Sequence, residues 1–128
     1  LGGNLSLVAA LVGTPYFPPI REMILLFEEI DERPYRIDRL LQQLALAVII
    51  RKTRGIDLGK FIDCNPSKGK PSLTLREVFR ETFRDFPCPI LSSLPYGHID
   101  NPLTLPLGVR VRRNASRHRV EFLEPAVS

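Results

Sequence analysis

Two periods of apolar residues alternate along the chain, and each marks a different kind of element. The run Leu5 to Val12 is nearly all apolar, Asn4 or Ser6 can cap it, and Gly13-Thr14-Pro15 stops it, which predicts a helix over about 4–13. Pro15, Pro18 and Pro19 make the next stretch a loop. Met23 to Phe27 is continuously apolar and reads as a strand buried on both faces, with Glu28, Glu29, Asp31 and Glu32 on the loop at its carboxyl end. Ile37, Leu40, Leu41, Leu44 and Val48 then recur at helical spacing. Asp31 or Glu32 can cap that helix, Pro34 suits its first turn, and Gly55 ends it, for a span of about 34–53. From Leu44 to Ile50 it is apolar all round, so its surplus face should meet another layer or a second subunit.

Ile56 to Ile62 reads as the next strand, and Asp63 to Pro71 as a polar loop. Thr74-Leu75-Arg76-Glu77 fits a capping box, so a helix is expected over about 74–85, with Leu75, Val78, Phe79 and Phe83 on its apolar face. A short strand is expected near Ile90-Leu91, beside Pro87 and Pro89, and another at Leu103-Thr104-Leu105. Leu107 to Arg112 and Arg119 to Leu123 alternate as a half-exposed hairpin does, with its turn at Arg113-Asn114-Ala115-Ser116. The pattern predicts an α/β domain with a mostly parallel or mixed sheet, or a barrel, and flanking helices.

Length and composition fit one domain: 128 residues with 44% hydrophobic content can bury a core. No apolar run reaches the roughly 20 residues of a membrane span. The chain opens on Leu1-Gly2-Gly3-Asn4, with no Met and no secretory signal, and this reads as a fragment boundary. Gly2-Gly3-Asn4 lacks the Lys-Ser/Thr of a phosphate loop and reads as a tight turn into the first helix. Cys64 and Cys88 have no metal-ligand spacing and read as reduced cytoplasmic thiols. The net charge is +4, but Arg110, Arg112, Arg113, Arg117, His118 and Arg119 concentrate near the end with few aromatics to stack bases. They read as the solvated face and turn of the hairpin, not as a nucleic-acid surface. The sequon Asn114-Ala115-Ser116 has no secretory context and is discounted.

The candidate chemistry lies in two distant segments. One is the carboxylate cluster Glu28, Glu29, Asp31 and Glu32; the other is Leu94-Pro95-Tyr96-Gly97-His98, a histidine on a stiff loop. A carboxylate that orients an imidazole and stabilises its cation supplies two members of a serine-type triad. No Gly-x-Ser-x-Gly-like elbow accompanies them, so half of an active site is in view. A metal site would need further ligands; Asp63, Cys64 and His118 are available, but their spacing does not suggest convergence.

Several longer motifs carry a family resemblance. Gly2-Gly3-Asn4-Leu5-Ser6, Gly13-Thr14-Pro15-Tyr16, and Glu28 with Glu32-x-Pro34-Tyr35-Arg36-Ile37-Asp38-Arg39 resemble the serine LD-carboxypeptidases. So do Leu58-Gly59-x-Phe61-x-Asp63-Cys64, Leu94-Pro95-Tyr96-Gly97-His98, and Leu103-Thr104-Leu105-Pro106-Leu107-Gly108-Val109-Arg110. The resemblance covers nearly the whole chain in the family's order. It implies a small swivelling-type β/β/α domain, the carboxy-terminal one of two, supplying the triad acid at Glu28 and the base at His98. The nucleophilic serine would come from an amino-terminal domain similar to class I amidotransferases. The implied reaction is hydrolysis of the L-to-D amide to the terminal D-alanine of murein tetrapeptides, in peptidoglycan recycling in the bacterial cytoplasm. The implied enzyme needs no cofactor or metal, is a homodimer, and has no nucleic-acid or membrane partner. A subgroup cleaves peptidyl-nucleotides of the microcin C type; a non-catalytic peptide-binding module is the alternative from another class. One departure stands out: Pro102 occupies the place before Leu-Thr-Leu where the family usually has Asn, and Asn101 precedes it.

Overall fold

The computed structural model describes every residue except Ala115, His118 and Ser128. Part of the expected hairpin turn, and one residue considered as a metal ligand, thus lie outside the described residues. The elements are β1 (Gly2–Asn4), α1 (Leu5–Ala10), β2 (Ile24–Ile30), α2 (Pro34–Leu46), β3 (Gly55–Ile62), α3 (Leu75–Thr82), β4 (Ile90–Leu91), β5 (Val111–Asn114) and β6 (Arg119–Phe122). The first four strands form one open parallel sheet in the order β1-β2-β3-β4, and β5 pairs with β6 as a separate antiparallel ribbon. The α/β class and the flanking helices agree with the sequence reading; of the sheet forms it allowed, the chain takes the open parallel one. No helix among the described residues is long and apolar enough to cross a membrane.

Side-chain alternation gives the sheet two different faces. Leu25 and Phe27 of β2 and Ile56 and Leu58 of β3 join Leu5 and Val8 of α1, Ile37, Leu41 and Leu44 of α2 and Val78 of α3 in the core. Each fully buried Leu or Ile there is worth roughly 2 kcal/mol. Leu26, Glu28, Asp57 and Gly59 alternate with these residues and point to the other face. The candidate site is built on that face.

The sequence reading needs correction in five places. Gly2-Gly3-Asn4 is not a tight turn but an edge strand, and α1 stops at Ala10. A Cβ on Gly2 would lie 2.5 Å from the Cβ of Leu26, so only glycine brings β1 this close to β2. Second, α2 ends at Leu46. The Ile49 amide donates to Leu44 O and the Val48 amide to Ala45 O, with Val48 left-handed at φ 62°, which is a Schellman ending. The turn lets the chain bury Ile49 and Ile50 rather than continue a helix apolar all round. Third, β2 runs on to Ile30, so Glu28 and Glu29 lie inside the strand and are buried, not on the loop after it. Fourth, Leu103-Thr104-Leu105 forms no strand; Pro102 and Pro106 flank it and cannot donate to a ladder. Fifth, β5 starts only at Val111, and its Arg113 is not solvated.

The Arg113 side chain is 6% exposed. Its guanidinium donates to Pro89 O at 3.1 Å and Ile56 O at 3.2 Å, and lies 2.7 Å from Asp57 Oδ1. A Cβ on Gly55 would collide with it at 1.9 Å. One arginine therefore pins the ribbon to the amino ends of β3 and β4, the end of the sheet away from His98. Burial pushes the Asp57 carboxyl up to about 6, and the neighbouring guanidinium only partly offsets this. A carboxyl raised from 3.8 holds its proton more tightly folded than unfolded. Its contribution to stability is therefore greatest at acid pH and is lost as the pH rises to about 6. NMR titration of the Asp57 carboxyl carbon is expected to show a midpoint near 6; one at the ordinary 3.8 would mean the pair is solvated.

Candidate active site

Glu28 and His98 lie 70 positions apart in sequence, yet His98 Nδ1 is 2.8 Å from Glu28 Oε2. The two ends of this contact differ: the Glu28 side chain is 5% exposed and that of His98 is 52% exposed. A buried carboxylate thus faces a half-open imidazole. With the Nδ1 proton donated to Glu28, Nε2 carries the free lone pair, as a general base requires.

The backbone makes room for this pair with two glycines. Phe27 pairs with Leu58 but Glu29 pairs with Phe61, so β3 carries one extra residue opposite Glu28. Gly59 lies in that bulge. A Cβ on it would fall 2.5 Å from Tyr96 O and 3.3 Å from the Cβ of Glu28. Gly97 closes the other side, at φ 119°, with a Cβ position 2.8 Å from Glu28 Oε2. The Leu94 amide donates to Leu58 O at 3.1 Å and the Lys60 amide to Tyr96 O at 2.8 Å, so the histidine loop is laced to the end of β3. Burial, and then the charge of Glu28, push the Tyr96 hydroxyl above its ordinary range.

Gly97→Ala puts a methyl group into Glu28 and a side chain at a φ that suits glycine. It is expected to cost about 1–3 kcal/mol. A lowered thermal melt, with loss of the imidazole–carboxylate bond by ¹⁵N NMR, checks this. An unchanged melt with the bond intact would contradict it.

The other acids have separate partners. Glu29 accepts hydrogen bonds from Asn4 Nδ2, from the Ser6 amide (2.9 Å) and hydroxyl (2.6 Å), and from the Ile30 amide (3.0 Å). It ties β1 and α1 to β2. Glu32 pairs with Arg36 of α2 at 2.8 Å, and Asp31 sits in the left-handed turn after β2 at φ 55°. Glu28 is therefore the carboxylate of this cluster that reaches His98. No serine, threonine or cysteine among the described residues is hydrogen-bonded to the imidazole.

The described residues hold no cluster of three metal-ligating side chains. Of the candidates, Cys64 is buried with its thiol on Ile62 O at 3.2 Å, and burial raises its pKa. His118 lies outside the described residues. The sequence reading did not single out Gly59 and Gly97 as the walls of the pair, or Arg113 as a buried clamp. A glycine in the interior of a strand was the available signal for Gly59.

Comparisons with known proteins identify the chain's family and fold. The family model of the LD-carboxypeptidase C-terminal domain matches residues 1–112. A probable murein peptide carboxypeptidase of Bacillus subtilis is 34% identical over 100% of this chain and 40% of that protein. The crystal structure of muramoyltetrapeptide carboxypeptidase from Oxalobacter formigenes superposes with a TM-score of 0.79 at 34% identity, over 86% of this chain and 39% of that one. The wild-type apo microcin C7 self-immunity protein superposes with a TM-score of 0.85 at 28% identity, over 100% of this chain and 38% of that one. The chain spans about 40% of the length of the curated relatives it matches.

Proposed function

Because this chain belongs to the LD-carboxypeptidase family through its C-terminal domain, we propose that it supplies the base and orienting acid of a serine carboxypeptidase acting on murein tetrapeptides. The observation that carries the reading is the 2.8 Å contact between buried Glu28 and half-exposed His98. Residues 1–128 act as the carboxy-terminal domain, and the nucleophilic serine comes from an amino-terminal domain of the same polypeptide. His98 Nε2 takes the serine proton as Oγ attacks the L-to-D amide carbonyl, then gives it to the leaving D-alanine nitrogen. Water, deprotonated by the same nitrogen, releases the acyl group. Glu28 fixes the tautomer and stabilises the imidazolium.

The enzyme works in the bacterial cytoplasm as a homodimer. Leu46, 83% exposed at the end of α2, supports an apolar contact there. Ile50, which the sequence placed on the same surface, is buried within the subunit.

Incubating the full-length protein with a murein tetrapeptide is expected to release D-alanine, read by mass spectrometry. A second reading, hydrolysis of a peptidyl-nucleotide, is favoured by the superposition of the whole chain on the microcin C7 self-immunity protein. Turnover of a peptidyl-nucleotide with none of the tetrapeptide would select it. Turnover of neither would leave the non-catalytic binding module.

A further inference from the structure

Three consecutive residues of the histidine loop meet Glu28 at three different points. His98 Nδ1 holds the carboxylate oxygen Oε2 at 2.8 Å. The Cβ position of Gly97 lies 2.8 Å from the same oxygen, so the backbone there closes over the carboxylate head. Tyr96 meets the stem. Its ring atom Cδ1 lies 3.0 Å from the Cβ position of Gly59, and the Cβ of Glu28 lies 3.3 Å from that same point. The bare Cα of Gly59 is thus a seat shared by the edge of the Tyr96 ring and the stem of Glu28. Burial, and then the charge of Glu28, raise the pKa of the Tyr96 hydroxyl, which places the phenol within the field of the carboxylate. The backbone of Tyr96 is fixed on both sides: its amide donates to Leu94 O at 2.8 Å and its carbonyl accepts from the Lys60 amide at 2.8 Å. The Leu103 amide closes the loop behind it on Pro95 O at 2.7 Å. No hydrogen bond joins the Tyr96 hydroxyl to another described residue.

We propose that Tyr96 is a positioning residue of the peptidase: its ring fills the space over Gly59, holds the stem of Glu28 in one rotamer and keeps water from the carboxylate that orients His98. The inference rests on the peptidase reading and deepens it by giving the pair a third member that acts through Glu28. The glycine at 59 makes room for the pair, but a missing side chain also leaves a gap beside a buried carboxylate. An open gap admits water or a second rotamer of Glu28, and either competes with the imidazole for the carboxylate. An aromatic edge seated there removes both competitors at once, because a close-packed site has no room for water. The ring carries this role and the hydroxyl does not, so phenylalanine should replace tyrosine and alanine should not.

The test compares full-length wild type, Tyr96→Phe and Tyr96→Ala. Release of D-alanine from a murein tetrapeptide gives kcat and KM. Proton NMR follows the His98 Nδ1 proton shared with Glu28, whose exchange with water reports how well the carboxylate is covered. Tyr96→Ala is expected to lose roughly 10- to 100-fold in kcat per folded molecule, the scale of a displacement of about 1 Å at a reacting group, with KM little changed. Its Nδ1 proton signal should broaden through exchange. Tyr96→Phe should keep both the turnover and the sharp signal. If Tyr96→Ala does not fold, Tyr96→Leu takes its place, with the same direction expected in both readouts. Normal kcat with a sharp Nδ1 signal in the truncated variant, even beside a lowered melt, would overturn the proposal. So would a Tyr96→Phe enzyme as impaired as Tyr96→Ala, since the hydroxyl would then be the active part. If the wild type released no D-alanine, the peptidase reading would fall and the NMR signal alone would decide. A signal sharp in wild type and Tyr96→Phe but broadened in Tyr96→Ala would keep the role of Tyr96; one alike in all three would remove it.

Discussion

In the full-length protein, His98→Ala is expected to lower kcat on a murein tetrapeptide by about 10⁴-fold, on the scale found when a triad member is removed from other serine hydrolases. The reason is that the serine hydroxyl then has no base to accept its proton, and the leaving nitrogen has no acid. KM should move little, because the imidazole acts on the reacting atoms and not on the rest of the peptide. The fold should survive, since His98 is half exposed and its hydrogen bond to Glu28 is not part of the core. Steady-state release of D-alanine, with a thermal melt as control, checks the result. Near-normal turnover would remove His98 from the chemistry.

The second large effect separates two adjacent carboxylates. Glu28→Gln is expected to lower kcat by about the same 10⁴-fold with little loss of stability. The amide nearly matches the shape of the carboxylate, but it cannot stabilise the imidazolium by charge and can hold the ring in the wrong tautomer. Glu29→Gln should do the reverse. Glu29 accepts from Asn4, the Ser6 amide, the Ser6 hydroxyl and the Ile30 amide, all donors in these contacts. A side-chain NH₂ placed among them leaves buried groups unpaired, at a cost of about 1–3 kcal/mol. Its kcat per folded molecule should stay within about tenfold of wild type, since Glu29 does not touch His98. Paired measurements of kcat and melting temperature on the two variants check this. A crippled Glu29→Gln enzyme with a mild Glu28→Gln would transfer the role of triad acid to Glu29.

The parts of the fold that were legible are those whose signals are local. Thr74 and Glu77 sit three residues apart, and the reciprocal capping box they predict is present at the start of α3. The apolar runs of β2 and β3 likewise carry their own evidence. Features that depend on distant partners were not legible. Gly2-Gly3-Asn4 becomes a strand only because β2 lies beside it. Val48 adopts a glycine-like conformation only because burying Ile49 and Ile50 repays the strain. Glu28 and Glu29 extend β2 against the usual preference of strands, because each finds hydrogen-bonding partners, on opposite faces of the sheet. Arg113 looked solvated among other arginines until Asp57 and two carbonyls were seen to meet it. The choice of Glu28 over Glu29 and Glu32 came from the family motif alone. Nothing chemical in four acids within five residues distinguishes them; a histidine 70 positions away does.

The most direct test of the account is a crystal structure of the full-length protein. A serine of the amino-terminal domain is expected with its Oγ about 3 Å from His98 Nε2, while Nδ1 keeps its bond to Glu28. Finding His98 Nε2 facing solvent or a non-nucleophilic side chain, with no serine able to reach it, would contradict it.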